Sequence, residues 1–99
     1  MSSTYYPKNE LNETWDVNVS GRELLAAVLI VSGTIKHKFP QEATAQETID
    51  MATRIDACED DAFSDIFNRC AWLGTYKEFV AWVREWSKWL RESKGYYVD

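Results

Sequence analysis

Few side chains in this 99-residue sequence could do chemistry. They are one imidazole (His37), two thiols (Cys58 and Cys70) and a run of carboxylates formed by Asp56, Glu59, Asp60, Asp61 and Asp65. His37 lies between Lys36 and Lys38. Neighbouring cations push a proton off the ring rather than poise it as a base, and no second histidine exists to share a metal. Both cysteines fall on apolar helical faces, where a thiol acts as a small buried hydrophobe. If the two helices carrying them form a hairpin about residues 59–61, the thiols are offset by about 10 Å along the axis, too far for a disulfide. Two thiols and one remote imidazole are too few for a zinc site. The carboxylates lack the alternating ligands, central glycine and closing glutamate of a calcium loop. Four scattered glycines leave no phosphate-cradling loop, and no Ser-His-Asp set is present. The expectation is a protein without enzymatic activity, cofactor or bound metal.

What remains is surface and packing chemistry. The formal charge is −5, concentrated in residues 42–68, where eight carboxylates face the single cation Arg54. Such a segment repels phosphates, which need Lys and Arg to displace their counterions. It suits a basic protein partner, a nucleic-acid-binding protein among them, with the carboxylates standing in for phosphates. Five Trp and five Tyr exceed what one small core requires.

The elements that must position these groups read as helices. Three Ser/Thr-x-x-Glu sequences, at Ser20/Glu23, Thr44/Glu47 and Thr75/Glu78, each precede an apolar-periodic run and form capping boxes. They predict helices over about 22–35, 45–58 and 76–93. A fourth helix over about 62–73 follows from Phe63, Ile66, Phe67, Cys70 and Leu73 on one stripe. The first helix is apolar on nearly every side and reads as the most buried; a hairpin turning at Ser32-Gly33, with a strand over 34–39, is its rival. In the second, Ile49, Ala52 and Ile55 point inward, with Met51 and Cys58 on the flank. Residues 1–19 read as an extended arm: Trp15, Val17 and Val19 alternate with polar residues, yet no partner strand is evident. This arm is expected to lie across the helices, anchored by Trp15, or to pair with a neighbouring chain. The fold expected is therefore all-α, a single-domain bundle of three to four helices with an extended N-terminal arm.

On a helical wheel the last helix is apolar over roughly 180°, wider than the stripe of an ordinary core-facing helix. Phe79, Val83, Trp86 and Leu90 suffice to dock it. Trp82 and Trp89, two turns apart on one edge, are surplus. They either pack beneath the arm or anchor a partner, since Trp and Tyr concentrate in interface hot spots. The candidate protein-binding residues are thus Trp82, Trp89, Tyr96 and Tyr97, together with Asp56, Glu59, Asp60, Asp61 and Asp65.

The sequence at Met1 to Asn9 resembles no export signal, so the sequons at Asn12 and Asn18 read as chance matches, and two cysteines make no secreted scaffold. The longest apolar run, Leu24 to Val31, is far shorter than the roughly 20 residues of a membrane span. These features predict a cytoplasmic protein that binds neither membrane nor nucleic acid directly. The function expected is protein binding as an inhibitor, adaptor or immunity-type protein; small size and acidity would suit a phage or mobile-element factor acting on a host protein. The alternative is a structural homo-oligomer, a homodimer joined through its Trp edge.

Overall fold

The computed structural model describes residues 2–9, 13–33, 41–69, 72 and 74–98. The chain is not all-α. Among the described residues four helices are accompanied by a four-stranded antiparallel sheet. The elements run β1 (Ser2–Pro7), β2 (Trp15–Asn18), α1 (Val19–Val31), β3 (Glu42–Thr44), α2 (Ala45–Ala57), a 3-10 turn (Asp60–Phe63) leading into α3 (Ser64–Arg69), α4 (Tyr76–Ser93) and β4 (Gly95–Val98).

The sheet order is β2-β1-β4-β3. Tyr5 of β1 stands opposite Trp15 of β2 and Val98 of β4, and Ala43 of β3 stands opposite Tyr96. The arm therefore finds its strand partners within its own chain: β2 pairs with β1, and β1 pairs also with the C-terminal β4. A lone strand leaves a row of backbone N–H and C=O groups without partners. Pairing β1 with β2 on one side and with β4, the segment after α4, on the other satisfies those of the central arm strand. Gly95 makes this junction close: its φ is +104°, and a Cβ there would stand 2.6 Å from the carbonyl oxygen of Ala43. Lys94 takes the left-handed capping position, with φ 60°.

Two of the three expected capping boxes are present. Thr44 Oγ1 accepts from the Glu47 N–H at 3.2 Å while Glu47 accepts from the Thr44 N–H at 3.0 Å, and Thr75 and Glu78 repeat the arrangement. The third is replaced: Asn18 caps α1 by accepting from the Gly21 N–H at 2.6 Å. Asn18 is also the last residue of β2, so one side chain ends the strand and starts the helix. α1 ends at Val31 rather than in the mid-30s, and the rival strand over 34–39 lies outside the described residues. Nor is α1 buried on every side. Leu24, Leu25, Val28 and Leu29 are inside, whereas Ile30 and Val31 are exposed. In α2, Met51 and Thr48 are buried and Ile49 is exposed, so the inward face is rotated from the expected one toward Thr48, Met51, Ala52 and Ile55. The expected helix over 62–73 is a 3-10 turn followed by six helical residues; Cys70 and Leu73 lie outside the described set.

α4 spans Tyr76–Ser93 as its pattern predicts, and Phe79, Val83, Trp86 and Leu90 are fully buried. They join Leu25, Val28, Met51, Ala52, Ile55 and Phe63 from the other helical segments and Tyr5, Val17, Ala43 and Tyr96 from the sheet in one core. α2 packs chiefly along α4. Among the described residues no helix is long and apolar enough to cross a membrane.

Candidate interaction surface

The Trp edge of α4 is covered by the arm. Trp15 sits between Trp82 and Trp89, with ring centroids 6.3 and 6.2 Å away. Trp72 lies 5.3 Å from Trp82, and Trp89 lies 6.4 Å from Tyr96. The Trp89 indole N–H donates to the Glu13 carbonyl at 2.7 Å, which ties the arm to the helix. Trp82 and Trp89 are consequently half-buried. The indole N–H groups of Trp15 and Trp72 are buried and meet no acceptor among the described residues.

The aromatic tail divides between core and surface. Tyr96, a candidate contact residue by sequence, is fully buried and packs edge-on to Tyr5 at 5.4 Å; it belongs to the core. Burial pushes the Tyr5 phenol up to about 12 and raises that of Tyr96 further. Tyr97 is 51% exposed and stacks on Tyr6 at 5.0 Å with 16° between the rings. Tyr6 escaped sequence reasoning because only strand pairing brings residue 6 beside residue 97.

The carboxylates also divide. Asp56 accepts from Ser87 Oγ at 2.7 Å and from Arg91 at 2.8 Å. Asp60 accepts from Arg84 at 2.8 Å. Glu59, Asp61 and Asp65 are exposed and have no ion pair among the described residues. The backbone that carries them is held firmly. Arg84 donates to the carbonyls of Ile55 at 2.8 Å and Cys58 at 2.7 Å, and its guanidinium lies 5.6 Å over the buried Phe63 ring. The Tyr76 hydroxyl donates to the Asp60 carbonyl. Desolvation, reinforced by the Asp61 and Asp60 charges, keeps that phenol above its usual pKa.

Neither the Arg84 clasp nor the Asp56–Ser87–Arg91 group was among the sequence candidates. A signal existed: on the α4 wheel Ser87 falls at about +80°, inside the apolar sector, and Arg84 and Arg91 border it at about +140° and +120°. A polar residue within an apolar stripe requires a partner across the interface, and Ser87 finds it in the Ala52 carbonyl, at 3.2 Å, and Asp56.

The Cys58 thiol is free, and its Sγ donates to the Arg54 carbonyl at 3.4 Å. Among the described residues no group of three or more His, Cys, Asp or Glu side chains is arranged to hold a metal ion. Fold and surface together define a small mixed α and β domain with an acidic turn hydrogen-bonded to α4. Comparison with known proteins found no matching family model, no matching curated protein and no matching solved structure.

Proposed function

We propose that this protein is a non-enzymatic protein-binding module, an inhibitor, adaptor or immunity-type factor that occupies a basic surface of its partner. The supporting observation is the acidic turn: Glu59, Asp61 and Asp65 stand exposed on backbone fastened by Arg84, Tyr76 and Phe63. Charges presented on a pre-ordered backbone lose little conformational freedom on binding, and they steer a basic partner into register. A partner that itself binds nucleic acid fits the same pattern, because the three carboxylates offer the charge of successive phosphates. Self-association through Trp82 and Trp89 would first have to lift Trp15 from both copies, which disfavours that alternative. The cytosol is the compartment this reading assigns.

The test is paired affinity capture from a lysate of the source cells, using the wild-type chain and the E59Q/D61N/D65N variant. The expected result is a partner that the wild type retains, that added salt releases and that the variant fails to hold. Equal recovery by both proteins, or retention indifferent to salt, would refute the acidic turn as the docking site.

A further inference from the structure

The helices pack on one face of the sheet, where Ser3, Tyr5, Val17, Ala43 and Tyr96 are buried. Strand alternation sends Thr4, Tyr6, Asp16, Glu42 and Tyr97 to the other face, where Asp16, Glu42 and Tyr97 are exposed. The register arranges them across the strands. Asp16 stands opposite Thr4, one pleat from Tyr6, and Tyr97 stands between Tyr6 and Glu42. The result is a diagonal track of carboxylate, two stacked phenol rings and carboxylate, spanning three strand intervals and a stagger of two residues, or about 16 Å. Lys8 is tied to Glu42 at 3.1 Å in an exposed pair. Asp16 has no ion pair among the described residues.

We propose that this sheet face docks an extended peptide segment bearing two cationic side chains four residues apart, laid across the strands. In an extended chain such side chains project from the same side about 13 Å apart, and the length of the cationic side chains themselves spans the few further ångströms of the diagonal between Asp16 and Glu42. Between them the Tyr6 and Tyr97 rings present faces that attract guanidinium or ammonium groups. A nucleic acid would need cations for its phosphates, and Lys8 on this face already serves Glu42. The surface is distinct from the acidic turn, and the proposal does not depend on that turn being a docking site.

Fluorescence anisotropy of a labelled Gly/Ser peptide carrying two arginines four residues apart provides the test. Asp16→Asn and Tyr97→Ala each weaken binding about threefold to fivefold, and Tyr97→Phe, which keeps the ring, retains it. Lys8→Ala strengthens binding about twofold by releasing Glu42. Replacing the arginines with citrulline abolishes binding, and the E59Q/D61N/D65N variant leaves it within about twofold, with circular dichroism confirming that each variant is folded. Unchanged affinity in folded Asp16→Asn and Tyr97→Ala would overturn the proposal, as would loss of binding in the acidic-turn variant alone. Tighter binding of a labelled oligothymidylate, weakened by Lys8→Ala, would assign the face to nucleic acid and overturn it equally.

Discussion

Arg84→Ala removes the clasp between α4 and the end of α2. Its side chain is 30% exposed, so the bonds it makes differ in worth. The Asp60 carboxylate is 74% exposed, and a pair so open to water contributes at most about 1 kcal/mol. The two carbonyl bonds are more sheltered. Ile55 and Cys58 lie in the last turn of α2 and at its cap, where the Ile55 carbonyl also accepts from the Cys58 N–H at 3.1 Å and a cation complements the helix dipole. A charge-assisted bond to such a carbonyl is worth about 1.5 kcal/mol or somewhat more. Water can reach part of the vacated site and reduce the loss. A total of about 2 to 3 kcal/mol follows once the guanidinium packing on Phe63 is included. In a chain of this length that lowers Tm by roughly 10–15 °C. Arg91→Ala is the control. Its single bond to Asp56 joins groups 45% and 44% exposed, and its loss should cost under about 1 kcal/mol. Arg84→Lys should recover only a minor part, because an ammonium cannot fork between two carbonyls and a carboxylate. Urea denaturation of the three variants, at low salt and at high salt, measures all of this. High salt should narrow the Arg91 effect and leave most of the Arg84 effect intact. Amide exchange should also quicken at residues 59–66 in Arg84→Ala. Equal costs for Arg84→Ala and Arg91→Ala would refute the clasp.

Two further predictions concern the aromatic residues. Trp15→Ala should destabilise by about 2–3 kcal/mol and shift fluorescence to the red as Trp82 and Trp89 meet water; Trp15→Phe should cost under about 1 kcal/mol, because it keeps a ring while removing a buried N–H that lacks an acceptor. A cost for Trp15→Phe well above about 1 kcal/mol would contradict an N–H without an acceptor. Stability should also fall above pH 10: the unfolded phenols ionise near 10.0, whereas the folded chain holds the Tyr5 proton to about 12 and the Tyr96 proton beyond that. The unfolded state then binds fewer protons, so stability present below pH 10 is lost through pH 12, on the order of 2 kcal/mol for Tyr5 alone. Denaturation midpoints between pH 9 and 12 should slope downward in the wild type and less steeply in Tyr5→Phe. Parallel slopes would remove Tyr5 as a cause.

The helices were legible because their signals are local. A capping box joins residues three apart, and Thr44/Glu47 and Thr75/Glu78 form the same bonds in the fold that their spacing predicts. The wheel of α4 likewise separated Phe79, Val83, Trp86 and Leu90 as core. Ser20/Glu23 met the same criterion and lost to Asn18, because the turn from β2 into α1 brings the Asn18 oxygen to the Gly21 N–H. Local pattern ranks candidate caps; chain geometry chooses among them.

The sheet was illegible for the opposite reason. The alternation of Trp15 and Val17 showed that a strand was possible, but its stabilisation depends on β1, and that of β1 on residues 95–98, some ninety positions away. No local period encodes such a pairing. The same pairing buries Tyr96, exposes Tyr97 beside Tyr6 and lays Trp15 over Trp82 and Trp89. Sequence alone determined the span of α4, its core residues and the acidity of the middle segment, all functions of neighbouring residues and net charge. Tertiary structure decided which aromatics face water and which carboxylates remain unneutralised. Exposure and ion pairing depend on what the rest of the chain places alongside, as Arg84 and Arg91 do in claiming Asp60 and Asp56 while Glu59, Asp61 and Asp65 stay exposed.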